Sequence, residues 1–302
     1  MTAFCGGIDL GGTKIEARLF SGPHVESHSF HRIDTPTDSF DAMIAGLVEQ
    51  IHWLWSQAGS DVPVGICMPG VIDPRSGACH AANIPCNGQS IRDALQTKMG
   101  KAFPVLNDAM AFAMSEAHHG AGHGAQSVFG LIMGTGIGGG YVLSGDAAYR
   151  QNGLSVEIGH IGVPARALDR NGLPGFDCGC GKSGCYESYI SGRGLENLSQ
   201  HVTGSKIAAR DILAHPSSER ILEIWADITA ECIYTAQFML DPSAIVLGGG
   251  VSQMSGVIDR IQAQFERLRF ADTPAPMISL AQHGDSSGAR GAAIAAQKAG
   301  AA

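Results

Sequence analysis

Three cysteines, Cys178, Cys180 and Cys185, crowd into a stretch rich in glycine, and His160 lies a short way upstream in Glu157-Ile-Gly-His160. Three thiolates and one imidazole make a closed tetrahedral zinc site. Gly179, Gly181 and Gly184 let a short loop wrap around the ion, and Lys182 offsets thiolate charge. The plainer alternative is a set of reduced, unliganded thiols, but such a loop has little core in which to bury three of them. A closed site leaves no position for water, so the zinc is read as structural. It would hold the loop bearing Glu187 and fix His160, whose other ring nitrogen can then meet a substrate.

Glycine turns offer a second kind of chemistry. Their backbone N–H groups bind phosphate well because no Cβ blocks close approach. Asp9, Leu10, Gly11, Gly12, Thr13 and Lys14 supply such amides with a hydroxyl and an ammonium. Gly134, Thr135 and Gly136 supply a second set, and Gly248, Gly249 and Gly250 a third. None matches a P-loop, and none is a GxGxxG opening a helix, so a dinucleotide fold is not favoured. One such turn alone is as well explained as an ordinary hairpin. Three, each after an apolar strand, point to phosphate cradles. Asp9 would repel phosphate unless a cation intervened, which suits an outer-sphere magnesium role; the alternative is a turn aspartate.

Asp108 stands between an apolar strand and the helical run Ala109–Ala117. It suits a helix N-cap and equally a general base that takes the proton of a hydroxyl attacking a γ-phosphorus. Asn107 can hydrogen-bond a neighbouring hydroxyl. Glu157 and Glu187 lie in polar, glycine-rich loops, either as solvated charges or as acceptors for sugar hydroxyls.

These residues need elements to place them. Residues 4–10 read as a strand entering the first glycine turn and 15–20 as its return. Residues 128–133 and 141–143 flank a second turn, 134–140, and 244–247 leads into the third. Helices are expected over 38–57, 90–99, 219–240 and 288–301, strands over 62–68 and 103–106, and a loop-rich stretch over 153–195. Two similar hairpins, each opening one half of the chain, suggest two related α/β lobes. The 302 residues, 44 % apolar and 16 % charged, allow two cores and argue against disorder. A net charge of -8 without a Lys/Arg block gives no footing for nucleic acid. No signal peptide is evident and no apolar run is long enough to span a membrane, so the protein is expected to be soluble and cytoplasmic.

Taken together, the chain resembles the ROK family of sugar kinases and sugar-responsive repressors. The stretches that carry this are Gly7–Lys14, Met68–Gly70, Ala81–Pro85, Leu106–Ala109, Gly134–Gly140, Glu157–His160, Cys178–Glu187, Gly248–Ser252 and His283–Ala293. The resemblance implies an α/β, actin-like ATPase (ribonuclease-H-like) fold with two lobes around a central cleft. The lobes would be 1–108, with the C-terminal helix 288–302 packing back on it, and a larger 109–287 carrying the zinc loop. It implies ATP phosphates at Gly7, Ile8, Asp9, Leu10, Gly11, Gly12, Thr13 and Lys14, and at Gly134, Thr135, Gly136, Ile137, Gly138, Gly139 and Gly140. Gly249 and Gly250 would lie near adenosine. It implies Asp108 as base, sugar contacts at Asn83, Asn107, Glu157, His160 and Glu187, zinc at His160, Cys178, Cys180 and Cys185, and Mg2+ by Asp9. The substrate would be a hexose. Ala81–Pro85, the cysteine loop and Tyr189–Gly194 are most similar to the family's N-acetyl-D-glucosamine kinases, acting on the 6-hydroxyl. Fructokinases and glucokinases of the family are the alternative. A homodimer is also implied. A repressor would need an added helix-turn-helix, for which the first glycine turn leaves no room ahead of it. Two positions depart from the family: Met110 stands where Asn is frequent and Val156 where Gly is, and both bear on the sugar pocket.

Overall fold

The computed structural model describes residues 4–22 and 24–301; the remaining residues of the expected first lobe and tail helix, 1–3, 23 and 302, lie outside the described residues. Phe4–Leu10 (β1) pairs antiparallel with Lys14–Ser21 (β2), Leu10 opposite Ile15, so that residues 11–13 form the connecting turn. Glu26–Asp34 (β3) adds antiparallel to β2. Phe40–Ala58 (α1) starts where the Ser39 hydroxyl accepts from the Ala42 N–H and stops at Gly59, which takes the left-handed conformation that ends helices. The fully buried Val64–Met68 (β4) follows. Val71–Ile72 (β5), Ala78–His80 (β6) and Gln89–Ser90 (β7) make a small separate sheet. Ile91–Met99 (α2), Val105–Asn107 (β8) and Asp108–Ala117 (α3) come next. Ser127–Met133 (β9), Ile137–Leu143 (β10) and Asp146–Ala147 (β11) form the second hairpin and its extension. Then come Ala165–Asn171 (α4), Glu187–Ile190 (α5), Gly192–Thr203 (α6), Ser218–Leu240 (α7) and Ala244–Gly248 (β12). Val257–Phe265 (α8), Met277–Leu280 (β13) and Ser287–Ala301 (α9) close the chain.

Two compact units result. The first gathers Met1–Gly124, Gly140–Ser155 and His283–Ala302; the second gathers Ala125–Gly139 and Val156–Gln282. The first unit's sheet runs β3-β2-β1-β4-β8, with β1, β4 and β8 parallel. The other five-stranded sheet runs β11-β10-β9-β12-β13, with β9, β12 and β13 parallel. The same order occurs twice: an antiparallel portion on one side, then three parallel strands. This is the ribonuclease-H-like sheet of the actin-like ATPase fold.

In the first unit α9 lies against β1, β4 and α3. Small residues permit this. A Cβ on Gly7 would sit 1.8 Å from the Ala289 carbonyl oxygen, and one on Gly65 2.0 Å from that of Ala292. The approach is therefore backbone to backbone.

Three local features add to or change the expected elements. Polar β3 fills a stretch with no apolar signal, because β2's backbone pairing holds it. The second glycine turn is shorter than 134–140: β10 already begins at Ile137. The stretch 153–195 holds α4, α5 and the start of α6. Among the described residues no helix is long and apolar enough to cross a membrane.

Candidate active site

Strand order places the first unit's carboxylates. Asp9 pairs in register with Cys67 across β1 and β4, and Cys67 with Leu106 across β4 and β8. Asp9 and Asp108 thus stand at the C-terminal ends of parallel strands with one strand between them: Leu106 is two inter-strand spacings, about 10 Å, from Asp9, and Asp108 follows two residues beyond it. Such strand ends are where open α/β sheets bind ligands. The Cys67 thiol lies between the two. It donates to Asp9 Oδ1 at 3.6 Å, and burial, then the charges of Asp9 and Asp108, push its pKa well up. Burial also raises the Asp9 carboxyl, against the Cys67 hydrogen bond. A cation beside Asp9 would restore its charge.

The cap on α3 decides between two readings of Asp108. The Asn107 side chain accepts from the Ala109 N–H at 2.9 Å and the Met110 N–H at 3.2 Å, and donates to the Gly70 carbonyl at 2.9 Å. Asn107 is therefore the N-cap, and Asp108 is the first helical residue, its Oδ1 accepting from its neighbour's N–H at 2.8 Å. Met110 is buried and its sulfur accepts from the Tyr141 N–H at 3.4 Å, so it packs inward.

Gly11, Gly12 and Thr13 form the turn beside Asp9, with Thr13 and Lys14 exposed. Thr35, which sequence reasoning missed, buttresses it: its hydroxyl donates to the Gly11 carbonyl at 2.7 Å and its N–H to that of Thr13 at 3.1 Å. A Cβ on Gly12 would lie 2.8 Å from that of Asn83, which brings Asn83 to this turn. Gly7, Ile8 and Leu10 are strand residues. Ile8 and Leu10 belong to the core.

In the second unit β9 ends in the turn Gly134–Gly136, closed by a 3.0 Å bond from the Gly134 N–H to the Gly136 carbonyl. Gly249 sits against the end of β9, where a Cβ would meet the Met133 carbonyl oxygen at 2.4 Å, so the second and third glycine turns adjoin. Gly192, opening α6, donates to the Gly134 carbonyl at 2.8 Å. Between these turns and α6 lies a cavity of about 750 Å³, within the range of small-molecule sites. Gly138 continues into β10, and Gly139 and Gly140 face backbone, the carbonyls of Val156 and Ala109 respectively. Glu187 lies beneath the turn: its Oε2 accepts from the Ile137 N–H at 3.0 Å.

Glu187 also joins the cysteine cluster, its Oε1 accepting from the Cys178 thiol at 3.8 Å. Cys178 Sγ lies 3.5 Å from His160 Nδ1, and the Cys180 and Cys185 sulfurs are 3.7 Å apart. One ligand atom from each of the four residues falls within 4.8 Å of every other. Tetrahedral zinc with ordinary bond lengths would space two sulfurs by about 3.8 Å and a sulfur and a nitrogen by about 3.5 Å. The donor set and spacing fit that ion. Glu157 stands exposed just before the short 3-10 turn Ile158–His160.

Comparison with known proteins agrees with this geometry. The sequence model of a family described as ROK matches residues 5–299. The N-acetyl-D-glucosamine kinase of Pectobacterium atrosepticum is 36 % identical over 296 residues, 95 % of this chain and 97 % of that protein. The N-acetylgalactosamine kinase AgaK of a Shewanella species is 35 % identical over 298 residues, 95 % of each chain. The crystal structure of a ROK hexokinase from Thermus thermophilus superposes with a TM-score of 0.86 at 30 % identity, covering 100 % of this chain and 99 % of that one.

Proposed function

Since the chain belongs to the ROK family, we propose that it transfers the γ-phosphoryl group of ATP to the 6-hydroxyl of N-acetyl-D-glucosamine, with Asp108 as the base. The observation that carries the reading is the pair Asp9 and Asp108 at the ends of two parallel strands that flank β4, beside an amide-lined turn, with Asn107 taking the cap that would otherwise occupy Asp108. As the sugar oxygen bonds to the γ-phosphorus and the bond to the β,γ-bridging oxygen breaks, the hydroxyl proton passes to the Asp108 carboxylate and ADP leaves. The amides of Gly11–Thr13 and Gly134–Gly136 bear the phosphate charge.

Asn83, Glu157, His160 and Glu187 hold the sugar, with Asn107 through the second N–H of its amide. Asp9 would hold Mg2+ through water, and the ion supplies charge neutralisation at the phosphates. His160, Cys178, Cys180 and Cys185 would hold Zn2+, which supplies a rigid cross-link under Glu187 and His160. A cytoplasmic homodimer completes the reading.

A second sugar has support of its own, because the N-acetylgalactosamine kinase relative is nearly as similar as the N-acetyl-D-glucosamine kinase. ADP release with ATP, Mg2+ and a panel of N-acetylglucosamine, N-acetylgalactosamine, glucose and fructose separates them. The highest kcat/KM is expected with N-acetylglucosamine. Preference for the galacto epimer would move the substrate assignment, and no ADP from any sugar would end the kinase reading.

A further inference from the structure

The cavity of the second unit presents charged side chains that the proposed reaction does not yet use. Arg193 and Glu196 line it from α6, and Arg210 from the 3-10 turn Ala209–Ala214. Arg193 and Glu196 are three residues apart on one helix and share a face, yet they do not pair. The Arg193 guanidinium reaches toward the cysteine loop, where a Cβ on Gly179 would lie 3.9 Å from its Nη1. The Glu196 side chain, half-buried, has no hydrogen bond or ion pair among the described residues. A carboxylate set in a cavity without protein donors suits a ligand that brings its own.

Position along α6 says which donors. Gly192 is bonded to the phosphate turn at Gly134, and Glu196 is four residues further, about 6 Å along the helix axis. In a nucleotide leading away from that turn, the ribose follows the α-phosphate and the base lies beyond it. Glu196 is therefore level with the ribose, whose 2′- and 3′-hydroxyls both donate. Ala208, Ala209 and Gly250 add no side-chain hydrogen-bonding group to this wall. Resting on the kinase reading above, we propose that Glu196 accepts hydrogen bonds from the ribose hydroxyls and makes the site selective for ribonucleotides. Deoxyribonucleotides lose a donor, and nucleotides phosphorylated on the ribose meet a like charge.

Calorimetric binding of ADP and 2′-deoxyADP to the wild-type protein, Glu196→Ala and Glu196→Gln tests this apart from turnover. A hydrogen bond to a charged acceptor corresponds to roughly tenfold to hundredfold in affinity. Wild type should therefore bind ADP at least about tenfold more tightly than 2′-deoxyADP. Glu196→Ala should weaken ADP more than 2′-deoxyADP, which still loses the bond from its 3′-hydroxyl, so that the two nucleotides bind about equally, and should leave the KM for sugar unchanged. Glu196→Gln, which keeps an acceptor oxygen, should retain part of the preference. Equal binding of the two nucleotides by wild type, or an undiminished preference in Glu196→Ala, overturns the proposal. Failure of the kinase reading shows separately, as absent ADP release.

Discussion

Gly7 lies in a stretch that reads as a phosphate cradle, but its position in β1 predicts a different cost on substitution. In Gly7→Ala the new Cβ would lie 1.8 Å from the Ala289 carbonyl oxygen, whereas real Cβ contacts essentially never fall under 3.0 Å. Helix α9 would have to retreat by the difference, about 1.2 Å. It cannot do so at one point only, because Gly65 and Gly291 make equally close backbone contacts with α9 and α3, at 2.0 and 1.8 Å for a Cβ. Overpacking generally costs about 1–3 kcal/mol, and a collision of backbone with backbone belongs at the upper end. Three kcal/mol in a unit of this size corresponds to roughly 6–12 °C in Tm. Thermal unfolding followed by circular dichroism, with and without ATP, measures it. A variant that melts within 2–3 °C of wild type but binds ATP about tenfold more weakly would refute the packing argument and return Gly7 to the nucleotide.

Asp108→Asn should lower kcat by about a hundredfold to ten-thousandfold with sugar affinity largely kept, read by steady-state kinetics and calorimetry; near-wild-type turnover would remove Asp108 as base. Metal analysis should find about one zinc per chain, as four ligands on one ion require, and Cys180→Ser should lose most of it and lower the melting temperature. Zinc-free wild-type protein would contradict the site. Glu16 is buried, which by itself raises its carboxyl, but hydrogen bonds and charges from Arg18 and Arg32 outweigh this and hold it below the usual range. Its contribution is complete above the ordinary carboxylate pKa and is lost as pH falls through the lowered value. Glu16→Gln should therefore cost about 2 kcal/mol at neutral pH, allowing for the partial exposure of both arginines, and the gap in urea midpoints should close toward acid. A gap that widens there would mean that the pair does not stabilise the charged form.

Elements that bury a continuous apolar run are visible in the residue pattern: β1, β4, β9, β12 and α7. β3 is not, because Glu-Ser-His-Ser-Phe-His-Arg-Ile-Asp gains its place from β2's unpaired N–H and C=O groups, which no local composition records. In α8 the buried Val257, Ile261 and Phe265 repeat every four residues, a signal present but short. The cysteines announce themselves through spacing. Which of Asn107 and Asp108 caps α3 is undecidable by type, since both residues cap well, and the Gly70 carbonyl that holds the Asn107 amide comes from a distant turn. Thr35, Glu196 and Arg210 were missed because each reaches its place through tertiary contact, with no motif around it.

The Arg290 guanidinium in α9, buried against the carbonyls of His24, Val25, Ser115 and His118, binds the end of the chain to segments made long before it. During synthesis β1 leaves the ribosome some 280 residues ahead of its covering helix. Until then one face of that sheet is wet and its glycines are bare. The first unit is thus finished last although it is begun first, while the second has all its segments in hand earlier. Translation itself imposes an order of maturation in which the half carrying Asp108 waits for the final helix.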